Sequence, residues 1–524
     1  MKAILTSLVI LTSHLLAAKE VTRDTAFEKI STIILKPNTK VQIADSICVQ
    51  IYESGKVSDI PTFTKLKRED NGEYIVSIFN RQKITPFRLS FTYGENTVVT
   101  EFFYAAKRDK VKFIFDVLHP DNISKMNISF KFEGNTATKY NICHLINKNK
   151  KKLLITGNGF IRANFGIENN PFKIKGTLTD TNNYNQYTQV LDSLFNIVKI
   201  AINVDRKIIS ESENRIGHEI SEFYTYELNN YSYFNFFINQ LFWRSTNDTT
   251  KRFLADFYLS RIGSLKLQEG KSPLLKYGVN YLFGRVEEIM EELKFESQTW
   301  NYSFQKAYNT VKAIRSDELR EPLIFKLFEV DGLQRYVSNY DKKDSCLRDA
   351  INYIASRELK DQLRNQLVFT RGSDVLEFSF PDINGDLVGL KDLKGKVFMI
   401  DFYASGCVGC ASFAKKFADE VHPEFANNKN FAVISVCVNA SRDVWQREVA
   451  KGLYSQKNGI EVFTAGKGFD IPLMKYYNNN SLPFVLLVDK RGKLIARLNG
   501  NQDSSLIASL IRGELEIKND EENF

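Results

Sequence analysis

Along residues 20–180 the apolar positions fall repeatedly at every second residue. In VKFIFDVL, Val111, Phe113, Phe115 and Val117 share one parity; in VQIADSICVQIYE, Val41 and Ile43 do, and then Ile47, Val49 and Ile51. A period of two puts such residues on one face of a strand. REDNGEYIVSIF carries Asn71-Gly72, a pair suited to a tight hairpin turn because both residues tolerate positive φ. SFTYGENTVVTEFFY repeats the pattern around Gly94 and Asn96, and NISFKFEGN and LLITGNGFIRANF read alike. Residues 19–180 are therefore predicted to form a β-rich domain, an all-β sandwich or open barrel.

The period changes near residue 183. In YTQVLDSLFNIVKIAI, Tyr187, Val190, Leu191, Leu194, Phe195 and Val198 recur at the spacing of one helix face. VEEIMEELKF and CLRDAINYIASRELKDQLRNQL continue it, which predicts an all-α region over 183–367. The aromatic run YSYFNFFINQLFW, residues 231–243, fits core packing of a buried helix better than a ligand box. At TRGSD, residues 370–374, the helical period stops, and Gly372-Ser373 reads as a linker.

A third pattern follows over 372–515, ahead of a polar tail, 516–524. KGKVFMIDFYA contains the unbroken apolar segment Val397 to Ile400, as expected of a central strand buried on both faces. Phe413, Phe417 and Val421 then predict a helix ending near His422-Pro423. FAVISVCVN is a second buried strand. Ser441 caps a helix carrying Trp445 and Val449. LPFVLLVD and LIARL form two more strands around a Gly turn, and SSLIASLIRG closes with a helix.

Composition narrows the function classes. The chain has 524 residues, 43% apolar and 25% charged, enough for two or three globular domains. The net charge of +9 comes from 71 basic and 62 acidic residues scattered along the chain. The densest basic cluster, KNKKK at 148–152, reads as a solvated loop between strands, and no nucleic acid is expected as partner. There is no HExxH, no P-loop and no GxGxxG after a strand. His119 and His144 stand alone. The N-terminus, MKAILTSLVILTSHLLAAKE, has a short positive start and an apolar core of signal-peptide length, with Ala17 and Ala18 as small residues for cleavage. Residues 1–18 are thus expected to be a signal peptide, and the protein to be periplasmic or otherwise in the cell envelope. An uncleaved membrane anchor is the alternative.

The chemistry lies in SGCVGC. A Cys in the first turn of a helix meets unpaired N–H groups and the positive end of the helix dipole, and both favour thiolate over thiol. Cys407 is placed there as nucleophile. Cys410, three residues on, is across the same turn and can resolve a mixed disulfide. Asp401, six residues before Cys407 on the strand that feeds the turn, is the candidate acceptor for the proton of Cys410. A zinc site would need two more ligands, and no second CxxC or HxxxH exists, so no metal is expected. Of the other cysteines, Cys437 reads as inert core, Cys48 and Cys143 as a candidate structural bridge, and Cys346 has no assigned role.

On these residues the segment resembles the TlpA/ResA-like thioredoxin domains of exported bacterial thiol-disulfide oxidoreductases. The resemblance runs through FSFPDINGDLVGLKDLKGKVFMIDFYASGCVGC, VISVCVNASRDVW and SLPFVLLVDKRGKLI, and its element order is that of an α/β thioredoxin-like fold. It implies that Pro483 is a cis proline beside the cysteines and that the backbone of Leu482 pairs with a substrate strand. Longer members of the group place a β domain and a helical region ahead of this module. The chain departs from the family at Gly406, usually Trp, and at Gly409, often Pro.

The expected function is an exported thiol-disulfide oxidoreductase that reduces disulfides of envelope proteins. It needs no cofactor, and the resemblance implies a membrane electron donor. The alternative is an envelope interaction protein carrying a degenerate, non-catalytic thioredoxin module. A peroxidase of the peroxiredoxin type would want Pro and Thr closely upstream of the reactive Cys, and IDFYASGC has neither.

Overall fold

The computed structural model describes residues 29–517 apart from 39–45, 53–61, 80–82, 94–95, 119–126, 166–183, 229–231, 246, 263–271, 298–299, 301–302, 334–339, 440, 478, 480 and 499–502. The expected signal peptide, His119, Val41, Ile43 and residues 518–524 of the polar tail lie outside the described residues. The chain divides into two compact units, one of residues 1–300 with 313–326, the other of 301–312 with 327–524.

In the first unit, alternation builds two sheets. One has the order β4 (Tyr74–Phe79), β1 (Lys29–Pro37), β8 (Asp109–Leu118), β9 (Asn127–Glu133). The other has the order β3 (Thr62–Lys65), β2 (Ser46–Ile51), β5 (Ile84–Tyr93), β6 (Asn96–Val99), with β7 (Phe103–Ala106) also on β5. Val111, Phe113, Phe115 and Val117 are buried while their neighbours are half-exposed, as period two requires. Their rings meet the other sheet: Phe113 lies 5.2 Å from Phe103, and Phe115 lies 5.0 Å from Phe91, between ring centroids.

The strands stop at Glu133. LLITGNGFIRANF is not a strand but the end of a 29-residue helix, Ala137–Phe165. The cause is tertiary. A Cβ at Gly157 would come within 2.2 Å of the Phe237 ring, so a glycine there lets this helix lie close against the helix Ser232–Arg244. Glycine's usual cost in a helix is offset by that contact. KNKKK likewise lies in this helix rather than in a loop, with Lys148, Lys151 and Lys152 exposed and Lys150 buried. The candidate Cys48–Cys143 bridge is absent: both cysteines are free and buried, Cys48 on β2 and Cys143 on the helix, where its Sγ–H donates to the Phe102 carbonyl at 3.2 Å. His144 meets the Glu101 carboxylate at 2.7 Å. The aromatic run is core, with Phe234, Phe237, Leu241 and Phe242 fully buried.

In the second unit, the segment at 370–374 is docked rather than a loose linker. The Gly372 N–H donates to the Leu494 carbonyl at 2.8 Å, and the Leu494 N–H to the Ser373 carbonyl at 2.8 Å. The helices Tyr340–Tyr353 and Arg357–Arg364, assigned from sequence to the middle region, fall in the same compact unit as the C-terminal sheet. A short hairpin, β10 (Ser379–Pro381) with β11 (Leu387–Gly389), precedes that sheet. The sheet has the order β14 (Ile460–Phe463), β13 (Phe431–Cys437), β12 (Val397–Tyr403), β15 (Phe484–Val488), β16 (Leu494–Leu498). β12, β13 and β14 are parallel, β15 runs antiparallel to β12, and β16 runs antiparallel to β15. Every residue of β12 is buried. Phe398, Ile400 and Phe402 pack on one side of the sheet, Val397 and Met399 on the other, under the helices Val408–Glu420 and Ser504–Glu516.

One buried charge ties the first unit's long helix to its sheet. Asp109, at the start of β8, accepts from the Ala106 N–H at 2.8 Å and the Tyr140 hydroxyl at 2.7 Å, and pairs with Lys139. Both members of the ion pair are buried, and burial lowers the Lys139 pKa. Asp109→Ala strands this ammonium and is expected to destabilise the first unit by about 3–5 kcal/mol. Urea denaturation checks it, and a loss of less than about 1 kcal/mol, the range of exposed pairs, contradicts it.

Candidate active site

β12 ends at Tyr403, and the chain turns through Ala404, Ser405 and Gly406 into the helix Val408–Glu420. The turn is held on several sides. The Ser405 N–H donates to Asn439 Oδ1 at 2.7 Å, and the Ser405 hydroxyl to Glu448 Oε1 at 2.9 Å. The Gly406 N–H donates to the Tyr454 hydroxyl at 3.0 Å, and the Tyr454 ring stacks on Tyr403 with centroids 4.7 Å apart. Gly406 has φ +80°, a conformation that side chains with a Cβ resist. A side chain with a Cβ, such as the Trp usual in the family, would be strained in this backbone.

Cys407 is the N-cap of the helix, and its Sγ accepts from the Cys410 N–H at 3.2 Å. One of the orphan N–H groups of the first turn therefore points at sulfur. Cys407 and Cys410 form a disulfide. Their accessibility differs: Cys407 keeps 6% exposure and Cys410 none, while Val408 between them is 60% exposed. A visiting sulfur can thus reach Cys407 and not Cys410. The Leu482–Pro483 peptide is cis. A Cβ on Gly409 would lie 3.3 Å from Pro483 Cδ, which puts Pro483 against the dipeptide between the cysteines. Leu482 packs on the cluster formed by Tyr403, Cys407, Cys410, Cys437, Trp445, Tyr454 and Phe463.

Asp401 is 2% exposed, and its Oδ1 has no hydrogen-bond partner among the described residues. Burial, and secondarily the nearby Glu461 carboxyl, pushes its pKa well above the usual carboxylate range. It shares its side of β12 with Val397, Met399 and Tyr403, the side that faces the helix Val408–Glu420. The five predicted site residues, Cys407, Cys410, Asp401, Leu482 and Pro483, thus surround one strand-to-helix turn.

Two residues here escape a reading of sequence alone. Glu461 lies on β14, a strand of only four residues, and burial pushes its pKa up to about 7. The signal is present in IEVF, a single Glu in a short apolar run with the parity of Phe463, but four residues do not establish a period. Asn439 is the other. It accepts from the Cys437 thiol at 3.2 Å as well as from the Ser405 N–H. Cys437 is accordingly a fully buried, hydrogen-bonded core residue whose thiol burial raises to a pKa of about 11.

Comparison with known proteins bears on the C-terminal domain. Residues 372–514 match the AhpC/TSA family model. The thiol-disulfide oxidoreductase ResA of Bacillus subtilis is 27% identical over 138 residues, which is 26% of this chain and 72% of the relative. ResA of Bacillus anthracis is 25% identical over 142 residues, 27% of this chain and 76% of the relative. Among solved structures, the thioredoxin domain of a thiol-disulfide oxidoreductase from Bacteroides vulgatus is 22% identical, covers 28% of this chain and 96% of that one, and has a TM-score of 0.24. With a mixed five-stranded sheet and a cysteine pair at its central strand-to-helix turn, residues 372–514 form a thioredoxin-like domain that matches the AhpC/TSA family model and is similar to the ResA thiol-disulfide oxidoreductases.

Proposed function

We propose that the protein is an exported reductase of disulfides in envelope proteins, working through Cys407 and Cys410. The observation that carries this reading is the asymmetry of the pair: Cys407 is the capped and reachable sulfur, and Cys410 the sealed one. In the reduced chain the Cys407 thiolate attacks a substrate disulfide. A bond forms between Cys407 Sγ and one substrate sulfur, and the other leaves as a thiolate that takes a proton from water. Cys410 then gives its proton to Asp401 and attacks Cys407 Sγ. The 407–410 disulfide forms, and the second substrate sulfur leaves as a thiolate and is protonated. The substrate has gained two electrons and two protons, and a dithiol donor, expected at the membrane, must return them to the pair.

Electrostatics support the proposed direction. The helix start eases the charge on Cys407, but buried carboxyls on the same side of the sheet oppose negative charge on reduced sulfur. That opposition favours release of the electrons to substrate. Pro483 and the Leu482 backbone, beside the dipeptide Val408-Gly409, are proposed to hold the substrate strand. Export rests on the apolar N-terminal stretch; among the described residues no helix is long and apolar enough to cross a membrane.

Cys410→Ser is expected to trap a mixed disulfide on Cys407 when the reduced chain meets a disulfide-bonded protein, visible as a reducible adduct by mass spectrometry. An unmodified Cys407 would sink the reading, because resolution has been removed and attack has not.

Asp401→Asn is expected to leave the attack of Cys407 intact and to slow the attack of Cys410 by about 10²-fold, the low end for a lost proton acceptor. Its stability has a signed pH dependence. A carboxyl whose folded pKa is raised holds a proton that the unfolded chain, near pKa 3.9, has lost. Its contribution is complete below about pH 4 and declines as pH rises toward the folded value. The parent should therefore lose stability relative to Asp401→Asn as pH rises above about 4 in urea titrations. Parallel curves would refute the buried, raised carboxyl.

A further inference from the structure

Asp401 can accept a proton but has no evident way to pass it on, since it is sealed beneath the redox helix. The sheet register supplies a route. Asp401 is the partner of Ser435 across β12 and β13, and Ser435 is the partner of Glu461 across β13 and β14. All three lie on the side of the sheet that carries Tyr403, Cys437 and Phe463, the side facing the cysteines. They form a polar row through apolar packing. Asp401 Oδ1 is buried with no hydrogen-bond partner among the described residues, while the Ser435 and Tyr403 hydroxyls lie against the Glu461 carboxyl and ease its ionisation. Buried polar atoms are nearly always partnered, so the unpartnered Asp401 oxygen at the inner end of this row calls for an explanation. Only the Glu461 end is partly exposed, because β14 is the edge strand.

We propose that Glu461 is the solvent-side end of a proton path from Cys410, sharing one proton with Asp401. The two carboxyls share one proton in the reduced chain, and resolution proceeds from the arrangement in which Asp401 is ionised and Glu461 protonated. As Cys410 forms its bond to Cys407 Sγ, its proton moves to Asp401, and Glu461 releases its own to water. The row carries one negative charge before and after, so the buried site never holds two. When a dithiol donor reduces the pair, the steps reverse: Asp401 returns a proton to Cys410 and Glu461 takes one from water. Two interacting carboxyls titrate as a unit; after burial, the Glu461 carboxyl is what raises Asp401, and burial holds Glu461 itself at about 7. The other titratable groups around the row are Tyr403 on β12, whose hydroxyl is 3.5 Å from Glu461 Oε2, Cys437 on β13, and, reaching Cys437 and Tyr454 from the helix Arg442–Lys451, Glu448 with its partner Lys451. Glu461 is a positioning residue here and touches no reacting sulfur.

The inference rests on the thiol chemistry proposed above, and one experiment separates the two. The reduced full-length chain is mixed with 5,5′-dithiobis(2-nitrobenzoate) in a stopped-flow instrument. The first thionitrobenzoate released reports attack by Cys407, and the second reports resolution by Cys410. Glu461→Gln is expected to leave the first phase unchanged, slow the second about 10-fold at neutral pH, and move its pH profile down by about one unit, because Asp401 loses a like-charged neighbour. Glu461→Asp should restore the parent profile in large part. A Glu461→Gln second phase that superimposes on the parent across pH overturns the proton path and leaves the dithiol reading standing. A merely structural role would change thermal stability without moving the profile, and that result overturns it too. Absence of any second phase in the parent would instead remove the resolving role of Cys410.

Discussion

The contact on which the site depends is the meeting of the Cys407 sulfur with the first turn of the helix Val408–Glu420. The Cys410 N–H points at that sulfur from 3.2 Å. An orphan N–H and the positive end of a helix both stabilise negative charge. Everything around the turn keeps this geometry. β12 delivers the chain from the middle of the sheet, Asn439 and Tyr454 hold the backbone N–H groups of Ser405 and Gly406, and Glu448 holds the Ser405 hydroxyl. Gly406 supplies the one backbone angle that a Cβ would oppose.

The second constraint is burial beneath the pair. The helix covers a side of the sheet that is apolar at Val397, Met399, Val433 and Val485 and carries the polar row through Asp401. Carboxyls in such surroundings resist ionisation. The same burial that raises Asp401 leaves Cys410 without solvent access, so its proton has to travel through protein. Accessibility thus differs between the two sulfurs: Cys407 keeps 6% exposure and Cys410 none.

Much of the C-terminal domain was legible because its signals are local. Val397 to Ile400 marks a buried central strand, and the cysteine spacing marks the helix start. Asp401 was legible by its place on that strand. Glu461 was not, because its meaning comes from register: it lies two strands away from Asp401 through Ser435, and no local pattern encodes which strands are neighbours. Leucine and isoleucine around Gly157 read as a strand because the reason for that glycine, the Phe237 ring, is 80 residues further along the chain. The segment at 370–374 looked like a linker for a similar reason, since its hydrogen bonds go to Leu494. In the β region, by contrast, the period-two burial of β8 followed directly from its sequence, as one-sided strands allow.

The most direct test of the account is the ionisation of Cys407 in the reduced full-length chain. The pH dependence of its alkylation by iodoacetamide, with Cys410 replaced by Ser, gives the thiol pKa without interference from resolution. The helix-start geometry predicts a value clearly below the free-cysteine value of about 8.5. A value at or above that number would mean that the helix does not hold the sulfur as thiolate, and the assignment of Cys407 as nucleophile would be contradicted.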